Sequence, residues 1–228
     1  MSLNRRTFLT GAAGATAAAI GLRGTASAAE RPDGVVVTPA DALERLQRGN
    51  TRYANGNIQR KTYAPLGQSP EAGQWPFAAI LSCSDSRVVS EDLFDVAGKN
   101  LFIVRNAGNL VDDVTMGSLE YAAVHTGISL IMVLGHTSCG AVDATQGSLA
   151  TGQMPGPFVN SIVEAITPAL TSLPAGYTLN DAIAANARYQ SEQIQNLSPT
   201  LAAKTAAGTI GIVKGVYGLS NRRVTFLP

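Results

Sequence analysis

The chain has 228 residues, enough for one α/β domain with a full core once a leader is set aside. Its net charge is +1, charged residues make up 14% of it and no basic run occurs. That balance argues against nucleic acid or an anionic membrane as partner and fits a small neutral substrate.

Residues 1–28 read as an address rather than as structure. Arg5-Arg6-Thr7-Phe8-Leu9 opens a weakly apolar, Ala/Gly-rich run to Leu22, and Ala26-Ser27-Ala28 offers a small-residue cleavage site before Ala29. The paired arginines indicate a twin-arginine signal peptide, so the expected partner is the twin-arginine export machinery of a bacterium and the expected destination is periplasmic or extracellular. The run is too short and too rich in glycine for a stable membrane span. Residues 29–228 are expected to form a single catalytic domain.

After an extended lead-in from Arg31 to Val37, Pro39 opens a helix to about Asn55, with Leu43, Leu46 and Tyr53 on one apolar stripe. Gly56 to Pro76 carries Pro65, Gly67, Pro70 and Gly73 and is read as loop. Phe77-Ala78-Ala79-Ile80-Leu81 is a continuous apolar run, as a buried parallel strand requires, and it leads into Cys83-Ser84-Asp85-Ser86-Arg87. Phe102 to Val104 centres the next strand, with Arg105, Asn106 and Asn109 placed in the turn after it. Thr115 to His125 reads as a helix burying Met116, Leu119, Ala122 and Ala123, stopped by Gly127. His125 near its end is a surface or capping residue before it is a proton shuttle.

A third apolar run, Ile128 to Leu134, delivers His136-Thr137-Ser138-Cys139-Gly140, and Gly140 begins a helix. Residues 157–207 are helical with breaks at Pro168, at Pro174 to Gly176 and at Pro199. Thr209 to Val216 and Arg223 to Leu227 are two strands. The alternation gives an α/β fold: a mainly parallel central sheet with flanking helices and a C-terminal edge strand pair, its crossovers right-handed.

Both polar motifs therefore sit at strand carboxyl ends, which in an open α/β sheet face one crevice. Cys83, His136 and Cys139 can converge there. Two thiolates and one imidazole are good zinc ligands, and three protein ligands leave a fourth position open, as in catalytic zinc sites. In an oxidising compartment two cysteines ordinarily indicate a disulfide. Here they are the only two, both lie inside the motifs, and His136 stands three residues before Cys139, so one zinc ion per subunit is the expectation. A disulfide is the oxidation product of metal-free protein.

The Cys-Ser-Asp-Ser-Arg run, followed by His-x-x-Cys-Gly some fifty residues on, resembles the signature of the β-class carbonic anhydrases. Leu46 to Tyr53 is similar to that family's amino-terminal helix, Val104-Arg105-Asn106-Ala107-Gly108-Asn109 to its second strand and loop, and Gly215-Val216-Tyr217 with Val224 to Leu227 to its closing strands. The resemblance implies reversible hydration of carbon dioxide to bicarbonate and a proton by hydroxide formed on zinc. It implies a homodimer or a multiple of dimers, with the first helix packed across the partner. It also implies a dyad in which Arg87 holds Asp85 away from zinc, or releases it to become a fourth ligand in a closed state. Ile80 and Ser82 stand where closed-type relatives carry Trp and Gly, so the open type is expected. By the same resemblance Gln74, Phe102 and Tyr121 line the substrate side, and Gly140 can offer its N–H to bicarbonate at a helix start. The competing readings are a zinc hydrolase of carbon disulfide or carbonyl sulfide, and a nonenzymatic zinc or dithiol redox protein that would leave Asp85 and Arg87 without a task.

Overall fold

The computed structural model describes residues 36–59 and 73–228. Residues 1–28, read from the sequence as a signal peptide, most of the lead-in from Arg31 to Val37 and much of the loop between Gly56 and Pro76 lie outside the described residues.

The first helix, α1 (Pro39–Ala54), starts as its sequence dictates. Pro39 supplies a preset φ at the first helical position, while the Thr38 hydroxyl accepts from the Asp41 N–H and the Asp41 carboxylate accepts from the Thr38 N–H. Ala42 and Leu46 are fully buried in the chain's own core. Of the expected stripe, Leu46 is fully covered by the chain's own core, and Leu43 and Tyr53 are half-buried against it. Gly49 and Asn50 explain how. Asn50 donates to the carbonyls of Leu93 and Arg222 and accepts from the N–H of Val224, tying α1 to the short helix α2 (Ser90–Leu93) and to the C-terminal turn. A Cβ on Gly49 would sit 1.7 Å from the Phe94 carbonyl oxygen, so only glycine allows the approach.

Strands β1 (Ala78–Cys83), β2 (Leu101–Asn106), β3 (Leu130–His136), β4 (Gly211–Tyr217) and β5 (Val224–Phe226) form one sheet in the order β2-β1-β3-β4-β5. All neighbours are parallel except β4 and β5, the C-terminal hairpin. Alternation along the central strands explains their unbroken apolar character. Ala78, Ile80, Leu130, Met132 and Leu134 face the core beneath α1 and α2. Ala79, Leu81, Ile131 and Val133 face the other, where α3 (Asp113–Tyr121), α6 (Leu179–Leu197) and α7 (Pro199–Ala206) lie. Helices α4 (Gly140–Thr151) and α5 (Val159–Thr171) flank α6 and close the carboxyl end of the sheet on that side.

Three details differ from the sequence reading. The helix predicted to run from Thr115 to His125 is α-helical only to Tyr121 and widens into one π turn, Ala122–Thr126, before Gly127 closes it at φ 73°. Pro168 does not break its helix. It lies on the exposed side of the last turns of α5, where its missing N–H costs one bond, to the exposed Glu164. The hydroxyls of Thr167 and Thr171 bond to carbonyls of those turns. Arg105 and Asn106 belong to β2 rather than to the turn, because the ladder with β1 continues to the pair Cys83 and Asn106.

Replacing Gly49 by Ala tests the α1–α2 contact. Helix propensity favours Ala by about 1 kcal/mol, but overpacking against a fixed carbonyl costs about 3 kcal/mol, so a net loss of about 2 kcal/mol is expected. Urea unfolding reads it, and an unchanged or higher midpoint would place α1 farther from Phe94 than described.

Candidate metal centre

Three parallel strands and the start of α4 bring the site together. Cys83 ends β1, His136 ends β3, and Cys139 is the residue that precedes and caps α4. Between the last two, Ser138 takes a left-handed φ of 57°, a conformation that costs a non-glycine residue about 1 kcal/mol and turns the chain back into the helix. The tip of β4 holds this turn: Thr137 N–H donates to the Tyr217 carbonyl and Leu219 N–H donates to the Thr137 hydroxyl.

The ligand atoms of Cys83, His136 and Cys139 all lie within 4.8 Å of one another, and all three residues are buried. Thiolate and imidazole ligands at about 2.0 to 2.3 Å from zinc stand about 3.5 Å apart, so this group needs only a small contraction to grip the ion. Histidine chemistry supports the same occupant. His136 Nδ1 lies 3.0 Å from the Thr137 carbonyl, which places the ring proton there and leaves the Nε2 lone pair free. Nε2 is buried and has no hydrogen-bond partner, an arrangement that costs energy unless a cation takes the lone pair. The donor set fits zinc.

Charge is distributed to match. The Cys139 thiol, as a hydrogen-bond neighbour, pulls the Cys83 thiol well below its usual range, and that same sharing together with burial pushes Cys139 up. The nearby N–H groups of Val142 and Ala141, at the positive end of α4, act against that rise. Burial lowers His136, yet the Cys83 thiolate, the Thr137 carbonyl and the Asp85 carboxylate together outweigh it and the net shift is upward. Such a cluster holds protons that an incoming metal must displace.

Asp85 and Arg87 stand at the rim. Arg87 donates Nε to Asp85 Oδ1 at 2.8 Å and its terminal nitrogen to Oδ2 at 2.7 Å, with a third bond from its backbone N–H at 3.0 Å. This fork keeps the Asp85 carboxyl far below the usual carboxylate range. Asp85 Oδ2 is 3.9 Å from His136 Nε2, beside the ligands but turned toward Arg87. Arg105 fixes the loop from below, donating to the carbonyls of Cys83 and Asp85 at 3.1 and 2.7 Å. Gly140, exposed, begins α4 at the mouth.

The remaining expected residues lie elsewhere in this chain. Phe102 pairs with Ala79 while Asn106 pairs with Cys83, so Phe102 is four residues, about 13 Å, back along the sheet from the ligands. Its ring is 6.2 Å from Tyr121, which is 52% exposed. Gln74, also exposed, precedes β1 at that same far end. His125 is exposed and lies against Tyr121 at 4.8 Å, a surface position remote from the ligands.

The sequence reading missed Gly108, whose N–H points to Cys83 Sγ at 3.4 Å, and the buried amides of Asn186 and Gln190 behind it. Their one signal was polarity on the same helical stripe as Ala182, Ile183, Ala187 and Ile194.

The chain matches the carbonic anhydrase family over residues 78–224. A carbonic anhydrase of Mycolicibacterium smegmatis is 40% identical over 197 residues, which cover 82% of this chain and 92% of that protein. The solved β-carbonic anhydrase of Coccomyxa, in complex with acetazolamide, has a TM-score of 0.61 at 25% identity over 81% of each chain. A tetrameric β-carbonic anhydrase of Sordaria macrospora shares the fold at a TM-score of 0.60 and 21% identity, over 69% of this chain and 83% of that one.

Proposed function

The chain belongs to the β-class carbonic anhydrases, and we propose that its Asp85–Arg87 pair completes a zinc site for the reversible hydration of carbon dioxide to bicarbonate and a proton. The observation that carries this reading is the convergence of two buried thiols and an imidazole with a free Nε2, beside an ionised carboxylate held by a guanidinium. Cys83 Sγ, Cys139 Sγ and His136 Nε2 would hold one zinc ion per subunit. When bound, zinc supplies the Lewis acidity that brings the ionisation of water down toward neutral pH. Carbon dioxide has no leaving group, so the protein needs neither a covalent nucleophile nor an acid for a departing atom.

The chain's own residues orient and release. Asp85 Oδ2 accepts the hydrogen bond of the attacking O–H and so directs an oxygen lone pair toward carbon dioxide. Arg87 keeps Asp85 off the metal and ionised, which makes this the open arrangement. Gly140 N–H, unpaired within the first turn of α4, receives a bicarbonate oxygen. A redox role gives Asp85 and Arg87 no work, and nothing here favours carbonyl sulfide or carbon disulfide over carbon dioxide.

We further propose a homodimer or a multiple of dimers. The outer edge of β2 has no strand partner among the described residues, and Val114 and Tyr121 are large apolar side chains left exposed, at 79% and 52%. Gln74, Phe102 and Tyr121 serve a substrate pocket only if a second subunit carries them to it, since they are remote from the ligands of their own chain. The tetrameric Sordaria macrospora protein is consistent with such assembly. For location, the Arg5-Arg6 pair and the Ala26-Ser27-Ala28 site support export by the twin-arginine route. Among the described residues no helix is long and apolar enough to cross a membrane.

Stopped-flow hydration of carbon dioxide by the zinc-loaded chain starting at Ala29 tests the activity over about pH 6.5 to 9. The Arg87 fork holds the Asp85 carboxyl far below the usual carboxylate range, so Asp85 is charged throughout this window and remains so well into acid. The expected profile is therefore a gradual rise toward alkaline pH set by ionisation of water, abolished by chelation and restored by zinc. Asp85→Asn should lower kcat/KM by about 100-fold. Silence at every pH with zinc bound would overturn the assignment. Sedimentation equilibrium should return at least twice the monomer mass, and a monomer would remove the dimer proposal. The double variant Arg5→Lys, Arg6→Lys should leave the protein uncleaved inside the cell; unchanged export would refute the twin-arginine route.

A further inference from the structure

Two amides lie buried in α6 behind the loop that carries Gly108. Asn186 and Gln190 are each 1% exposed and lie one helical turn apart. Gln190 Oε1 accepts from the Val111 N–H at 2.8 Å, and its Nε2 donates both to the Ala165 carbonyl and to Asn186 Oδ1, each at 3.2 Å. Backbone polarity thus fixes which way both amides face: Val111 can only donate and Ala165 can only accept. Asn186 is left with its Nδ2 group toward the loop after β2, where it donates to the Gly108 carbonyl at 2.9 Å.

Gly108 needs that hold. Its φ of +85° is open to glycine and strained for other residues, and an added Cβ would press on Ile166 at 3.0 Å and Ala141 at 3.3 Å. A glycine in a loop is also the residue freest to rotate. With its carbonyl clamped by Asn186 and the loop clamped again at Val111, its N–H is kept on Cys83 Sγ at 3.4 Å. A hydrogen bond to a thiolate draws electron density from sulfur, so the sulfur gives less to the metal and leaves it the stronger Lewis acid.

We propose that Asn186, oriented by Gln190, is a positioning residue that holds the Gly108 N–H on the Cys83 thiolate and so sets how much charge Cys83 donates to zinc. The proposal rests on the assignment of Cys83, His136 and Cys139 as ligands. A merely structural role would lower stability without changing the sulfur–metal bond.

The test uses the mature chain loaded with cobalt(II) in place of zinc, which reports thiolate donation through its sulfur-to-cobalt charge-transfer band, alongside zinc affinity by chelator competition. Asn186→Leu should move the band to longer wavelength and, because a thiolate that has lost its N–H bond is more readily protonated, weaken zinc binding at neutral pH about 10-fold. Gln190→Met, of similar length but without the orienting amide, should shift both in the same direction. Ile194→Ala, a cavity in the same helix outside this network, controls for lost stability and should leave band and affinity at wild-type values. An unmoved band in both amide variants, or an equal shift in Ile194→Ala, would overturn the proposal. A wild-type chain that binds cobalt with no thiolate band would overturn the ligand assignment itself, and the proposal with it.

Discussion

The register between β1 and β3 is the constraint on which everything else rests. Ala78 lies opposite Leu130 and Ser82 opposite Leu134, so the two strands end within a residue or two of each other and release Cys83 and His136 side by side. Both faces of these strands are buried, and a slip of one residue would turn each side chain to the wrong core. The metal group therefore inherits its geometry from hydrophobic packing. α6 contributes to both: its aliphatic side chains cover the sheet, and its two amides hold the loop over Cys83.

Charge in the site sums to nothing. With zinc held there, two thiolates would offset its two positive charges, and Arg87 offsets Asp85 through a two-pronged bond. A neutral centre does not repel or trap a neutral gas, and it holds an anionic product only through local contacts such as the first turn of α4. Arg87 is more than half exposed, with Asp85 behind it, so the pair is anchored by geometry and by short bonds more than by burial.

What could be read from residue order was whatever repeats locally. Apolar runs marked β1 and β3, Pro39 marked a helix start and Pro199 a helix break, and the spacing of Cys83, His136 and Cys139 marked the metal group. Pro168 misled because a proline near a helix end, on the wet side, costs little. Arg105 and Asn106 misled because their polarity reads as a turn, whereas each spends its polar atoms on backbone groups across the loop. Asn186 and Gln190 were illegible for the same reason: an amide in a helix looks like surface until its partners from Gly108, Val111 and Ala165 are known. Phe102 and Tyr121 lie together far from the ligands, and no count of residues along one chain could reveal that distance.

Cys139 has two jobs that differ in how they are guarded. It belongs to the group that could hold a metal ion, and it is the residue on which α4 begins, with no side-chain hydrogen bond of its own to that helix end. Serine and aspartate are better than cysteine at starting helices, and either would keep that end of α4 in order. Selection for a stable fold alone would therefore not preserve the thiolate. A lineage released from the need for catalysis could exchange this one residue, lose the ion and keep its architecture, so descendants with the same shape and no chemistry are an easy evolutionary step away.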